Sequence, residues 1–124
     1  MSHLVFVYGT LMQGELHHTS IAHARFVRAA ETLPLYELVQ IDYYPAMLTG
    51  GARRVLGELY EVDDETLRKL DALEQVPEYY ERHTIELADG TLALTYVMPR
   101  ERAGASSPIP SGYFRMRTDV PRKP

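Results

Sequence analysis

The run LVFVY at residues 4–8 is apolar, β-branched and aromatic, too short for a helix and closed by Gly9, which predicts a buried first strand. A sharp turn follows at Gly9-Thr10, and the polar stretch after Gly14 predicts a short helix reaching His23. Between residues 24 and 41, Phe26, Val27, Leu33, Leu35, Tyr36, Leu38 and Val39 favour extended structure, with Pro34 as an edge or a break. YPAML at 44–48 ends in a turn at Gly50-Gly51, and alternation over 53–62 predicts another strand, with Gly57 marking a close approach of backbones. Asp63-Asp64-Glu65 then stand before residues 66–74, where Leu67, Leu70 and Leu73 at three-residue spacing predict a helix that Pro77 stops. Residues 80–87 and 91–98 flank Asp89-Gly90 and predict a hairpin. Four of the eight prolines fall in the last 24 residues, which predicts a tail without regular structure from about residue 100, burying only Tyr113 and Phe114. The sum is an α+β fold, a mixed sheet or barrel with one or two helices outside it, in a single domain over residues 1–124.

Composition narrows the chemistry. With 124 residues and 45% hydrophobic content the chain supports one core. It has no cysteine, which excludes disulfide scaffolds, thiolate metal sites and cysteine nucleophiles. Thirteen basic against 17 acidic residues leave a net charge of -4, so no nucleic-acid partner is expected. No apolar run approaches the length of a spanning helix, and the first residues lack a basic start and a small-residue cleavage site. A soluble, cytoplasmic protein without membrane contact is the expectation.

One carboxylate stands out. On a helical wheel with Leu67 at zero, Leu70 falls at about 300°, Leu73 at about 240° and Glu74 at about 340°, inside the leucine arc. A carboxylate there is either paired or has its pKa raised by desolvation, and a raised one can exchange protons near neutrality. Three readings stay open: an acid/base group, a side chain swung into solvent by fraying of the last turn, and an ion pair with Arg82. Asp71, at about 40° on the margin of the same arc, reads as a structural carboxylate.

Other signals are weaker. The turn VYGTL at 7–11 places successive N–H groups at a strand end, where they can form an anion-binding nest. His17, His18 and His23 lack the i, i+4 spacing that aims two imidazoles at one ion, so no metal is expected. No dinucleotide, P-loop or serine-hydrolase motif is present. Among nine tyrosines, the doublets Tyr43-Tyr44 and Tyr79-Tyr80 are expected to put one ring on each face of a strand, and Tyr80 is the best placed to meet a ligand.

Three segments together, VFVYGTL at 5–11, GELYEV at 57–62 and LDALEQVPEYYER at 70–82, resemble the γ-glutamylcyclotransferase-like, or AIG2-like, family in order and spacing. HHTSIAHARFV at 17–27 and YPAML extend the resemblance to roughly residues 5–98. It implies a small mixed β-barrel with flanking helices and one cavity lined by Tyr8, Gly9, Thr10 and Leu11, by Glu74 as the catalytic glutamate, and by Tyr80 as a substrate-binding residue. Two departures stand out: Gln75 occupies the place of a common glycine, and SGYF at 111–114 replaces a Ser-Gly-Asp-Trp-like stretch.

The resemblance implies attack of a γ-glutamyl compound's own α-amine on its γ-carbonyl, giving 5-oxoproline and a released amine or amino acid, with no cofactor and no metal. The nucleophile is tethered, and well-oriented intramolecular attack reaches effective molarities of roughly 10⁵ to 10⁸ M. Glu74 would move the protons, while the turn's N–H groups would hold either the substrate α-carboxylate or the developing oxyanion. The competing expectations are a non-catalytic binding module for a glutamate-like metabolite and a structural domain built around a Glu74–Arg82 pair.

Overall fold

The computed structural model describes residues 2–41, 44–104 and 106–116. Strand β1 (Ser2–Val7) lies in the middle of a five-stranded sheet, which suits a run whose Val5 and Phe6 are wholly buried. On one side it pairs antiparallel with β5 (Leu56–Asp63), which in turn carries β2 (Arg25–Glu31). On the other it runs parallel to β7 (Leu92–Val97), the partner of β6 (Glu81–Glu86) in the expected hairpin. The order is β2-β5-β1-β7-β6. A second sheet has β3 (Tyr36–Ile41) between β4 (Tyr44–Thr49) and the two-residue β8 (Ser107–Pro108).

The α+β class is as expected, but the sheets do not close into a barrel. The edge strands of the larger sheet curl toward each other only as far as a single bridge, Thr32 to Leu87, and the smaller sheet joins it where the Met98 N–H meets the Met47 carbonyl at 3.0 Å. Gly57 makes the expected close approach: a Cβ there would sit 2.2 Å from the Val7 carbonyl oxygen across the β1–β5 ladder.

Helix α1 (Asp64–Leu73) begins where Asp63 accepts the Thr66 N–H at 2.7 Å, with Asp64 and Glu65 in the first turn. Leu67 and Leu70 are buried against β1 and β5, whereas Leu73 is 39% exposed and borders a cavity rather than the core. The helix ends before Pro77: Glu74 is its C-cap, and Gln75 turns the chain with φ +53.

Three expectations give way. The predicted helix up to His23 is a chain of three-residue turns with one 3-10 turn (His18–Ser20), because only Ile21 in that stretch is buried deeply enough to anchor a helix face. The tail is not without structure: it forms α2 (Arg100–Ala103), β8 and a 3-10 turn (Phe114–Met116), and it buries Ala103 and Ile109 as well as Phe114. Other strands hold it in place, with the Ile109 N–H on the Leu38 carbonyl and the Leu56 N–H on the Gly112 carbonyl, both at 2.8 Å. Tyr79 and Tyr80 precede β6 and stack edge to face, 5.2 Å apart, instead of facing opposite sides of a strand; Tyr43 lies outside the described residues.

Candidate active site

The chain leaves β1 through Tyr8 into the turn at residues 9–11. Gly9 is required by space: a Cβ on it would stand 2.4 Å from Cγ of Pro45. Every carbonyl of the turn is tied back, that of Gly9 by the Met12 N–H at 3.1 Å, that of Thr10 by the His17 N–H at 2.8 Å, and that of Leu11 by Nδ1 of His18 at 2.9 Å. Among the described residues, no group accepts from the N–H of Gly9, Thr10 or Leu11. The turn therefore offers three donors and spends its acceptors internally, the arrangement of an anion-binding nest.

The Tyr8 hydroxyl is fully engaged, donating to the Tyr96 carbonyl at 2.6 Å and accepting from the Met47 N–H at 3.1 Å. It pins β1 to β7 and β4, and its ring contributes the wall. Tyr80 likewise donates its hydroxyl to the Pro45 carbonyl at 2.8 Å. Burial pushes both phenols well above their ordinary range, with the nearby Glu74 charge adding to the effect, so both remain neutral donors.

These residues enclose a cavity of about 200 Å³, and all six predicted site residues, Tyr8, Gly9, Thr10, Leu11, Glu74 and Tyr80, line it. Leaving α1 at its last turn aims the Glu74 side chain into this space. Burial pushes its carboxyl up to about 7. Among the described residues no hydrogen bond or ion pair reaches its carboxylate, and the cavity wall contains no lysine or arginine. The expected alternative, a pair with Arg82, is not formed: Arg82 reaches Oδ2 of Asp71 at 2.5 Å, while the Tyr96 hydroxyl donates to Oδ1 of Asp71 at 2.8 Å. Asp71 is thus the satisfied carboxylate and Glu74 the unpaired one.

Sequence reasoning missed part of the wall. Tyr44, Pro45, Tyr79 and Tyr96 line the cavity, as does His17 at its exposed mouth. The Tyr44 and Tyr79 hydroxyls lie 2.7 Å apart, a contact that the two doublets hinted at without locating. The histidines disperse, His18 to the Leu11 carbonyl and His23 to the Thr66 hydroxyl, and among the described residues no three His, Asp or Glu side chains are grouped as metal ligands. No helix among the described residues is long and apolar enough to cross a membrane.

Comparison with known proteins bears on this geometry. A Vibrio cholerae protein provisionally named a gamma-glutamylcyclotransferase is 48% identical over 91 residues, covering 73% of this chain and 78% of its own. A zebrafish (Danio rerio) gamma-glutamylaminecyclotransferase is 39% identical over 92 residues, 67% of this chain; the match spans 57% of that longer relative. In the crystal structure of a uropathogenic E. coli-specific protein the same fold recurs with a TM-score of 0.81 and 27% identity, over 93% of this chain and 94% of that one. The sequence profile described as gamma-glutamyl cyclotransferase, AIG2-like, matches residues 5–116, from the middle of β1 to the last described turn, and the chain belongs to that family.

Proposed function

We propose that this protein cyclises small γ-glutamyl amines to 5-oxoproline with release of the amine, and that Glu74 is its catalytic residue. The observation that carries this reading is a largely buried carboxylate, its carboxyl raised to about 7, in one small cavity with three N–H donors, all without a partner among the described residues. The names of the relatives support the reaction class.

The chemistry follows from the parts. A cavity of about 200 Å³ is smaller than the roughly 300 Å³ at which drug-sized pockets begin, so it takes the glutamyl half and leaves the amine at the mouth. Folded against the tyrosine wall, the substrate's α-amine is brought to its own γ-carbonyl, where proximity supplies most of the acceleration. Ionised Glu74 takes a proton from the attacking nitrogen as the ring C–N bond forms. It returns that proton to the departing nitrogen as the original amide C–N bond breaks, a double transfer suited to a carboxyl near neutrality. The N–H groups of Gly9, Thr10 and Leu11 hold the negative charge of the substrate, while Tyr8 and Tyr80 shape the wall. Because the wall has no lysine or arginine among the described residues, a second carboxylate on the leaving group finds no permanent cation there, which favours γ-glutamyl amines over γ-glutamyl amino acids.

Incubation with a panel of γ-glutamyl amines and γ-glutamyl amino acids, reading 5-oxoproline by mass spectrometry, tests the proposal. Release from the amines that disappears in a folded Glu74→Gln variant is the expected result. Silence across the panel with ligand-induced thermal shifts intact would replace it with a binding module.

A further inference from the structure

The turn lines the cavity with three N–H groups unclaimed among the described residues and with its three carbonyls tied back, and the groups that hold those carbonyls belong to residues 12, 17 and 18. The geometry of the turn is therefore set by the loop after it, and the fixing of that loop becomes the question.

Gln13 is gripped at both backbone groups. Its N–H donates to Oε1 of Glu58 at 2.9 Å, and its carbonyl accepts from Nη2 of Arg115. Nε of the same guanidinium donates to Oε2 of Glu15 at 3.1 Å, and its Nη1 donates to the Tyr113 hydroxyl at 3.0 Å and lies 3.7 Å from Oε2 of Glu58. Glu58 is only 7% exposed, and it stands on β5 directly opposite Val7, the residue before Tyr8. Its Oε1 also accepts the Tyr60 hydroxyl at 3.0 Å. Two shielded carboxylates, Glu15 and Glu58, thus converge on one guanidinium delivered from the opposite end of the chain. Removing that cation leaves two like charges together with only the Gln13 N–H and the Tyr60 hydroxyl on Glu58 to offset their desolvation, and the loop must move to hydrate them.

We infer that Arg115 is a positioning residue for the site: from the C-terminal segment it locks the loop at residues 13–15, and through that loop it keeps the Gly9, Thr10 and Leu11 N–H groups aimed at the cavity. The inference rests on the reading of that turn as the anion-holding half of the cyclotransferase site. It makes the tail a working part of the site in a chain whose SGYF stretch departs from the family pattern, since Tyr113 and Arg115 both join the cluster.

The test uses the full chain with Arg115→Ala, Arg115→Lys and Glu15→Gln, comparing kcat and KM for the best γ-glutamyl amine with the ¹⁵N–¹H resonances of Gly9, Thr10 and Leu11. A displaced turn that loses the worth of one charge-assisted hydrogen bond to the substrate predicts a KM raised about tenfold in Arg115→Ala with kcat within about threefold, and shifted resonances at all three positions. Arg115→Lys should recover most of the KM, since it keeps the charge between Glu15 and Glu58. A folded Arg115→Ala protein with unchanged KM and unmoved resonances, even if it melts at a lower temperature, overturns the inference. If Arg115→Ala does not fold, Glu15→Gln decides: a KM raised about threefold with shifted turn resonances supports the inference, and unmoved resonances overturn it. If the wild-type protein turns over no γ-glutamyl compound, the cyclotransferase reading fails, and the resonances of the variants still decide whether Arg115 sets the turn.

Discussion

Asp71 and Glu74 stand one helical turn apart at the end of α1, and the molecule treats them in opposite ways. Asp71 has a hydrogen-bond donor on each oxygen, the Tyr96 hydroxyl and the Arg82 guanidinium, and ties α1 to β7 and to the start of β6. Glu74 has neither among the described residues, and it opens onto a cavity walled by tyrosine rings whose own hydroxyls are mostly committed elsewhere. The same functional group is a fastening in one place and, on the proposed function, a proton carrier in the other, and what separates them is the number of partners. Arg82 goes to Asp71, and burial without a cation beside it among the described residues raises the Glu74 carboxyl toward neutrality.

The largest expected effect comes from removing the unpaired member. Glu74→Gln should lower kcat about 10³-fold or more, the scale of general acid–base catalysis, with the cavity's shape preserved. The same change should stabilise the protein in alkaline solution. Holding the carboxyl at about 7 in the folded state against an ordinary 4.5 costs about 3 kcal/mol once the group ionises. The folded state keeps its proton where the unfolded state has lost it, so wild-type stability is fullest below pH 4.5 on this account, falls as pH rises toward 7, and levels off above it. Chemical denaturation of both proteins at pH 5 and pH 8 checks the sign. A wild-type protein that gains stability over that interval relative to the variant would mean that Glu74 has a partner after all.

Removing the satisfied member should do the reverse. Asp71→Asn keeps one acceptor but leaves Arg82 without its counter-charge, and it should destabilise by about 1–2 kcal/mol, since the pair is partly exposed and solvent screens the loss. Turnover should fall by less than about tenfold, through small displacements of the Tyr96 wall. Tyr96→Phe refines the test by deleting only the hydroxyl on Oδ1. If Asp71→Asn abolished turnover in a stable protein, the division of labour between the two carboxylates would be wrong.

How much of this was legible beforehand depends on whether the determining contact is local. The β1 run, the Asp89-Gly90 hairpin and the inward position of Glu74 follow from periods of a few residues, and each was readable. The choice between Asp71 and Glu74 as the partner of Arg82 was not, because both lie near the same arc of the wheel and β6 decides which one Arg82 meets. Tyr44 and Tyr96 were hidden for another reason: a tyrosine in a cavity wall and one in a core have the same pattern in the chain. The elements of the tail are imposed by Leu38 and Leu56 reaching across to it, so no periodicity of its own announces them. The open barrel likewise depends on a single bridge between edge strands.

The smallest expected effect sharpens the comparison at the residue that aims Glu74. Gln75 turns the chain with φ +53, a conformation in which a side chain costs roughly 1 kcal/mol and glycine costs nothing, which gives a physical meaning to the glycine its family commonly has there. Both backbone bonds of the position, from its N–H to the Ala72 carbonyl at 3.1 Å and from the Tyr79 N–H to its carbonyl at 2.8 Å, survive the loss of the side chain. Gln75→Gly should therefore stabilise the protein by about 0.5 kcal/mol, the relieved strain outweighing the greater freedom of glycine in the unfolded chain, and should raise Tm by about 2 °C. Because Glu74 keeps its cap geometry, kcat should stay within about twofold, and only KM is free to change where the Gln75 side chain borders the cavity. A drop in kcat in a protein with raised Tm would show that the strain at Gln75, and not only the absence of a partner, holds Glu74 in its working position.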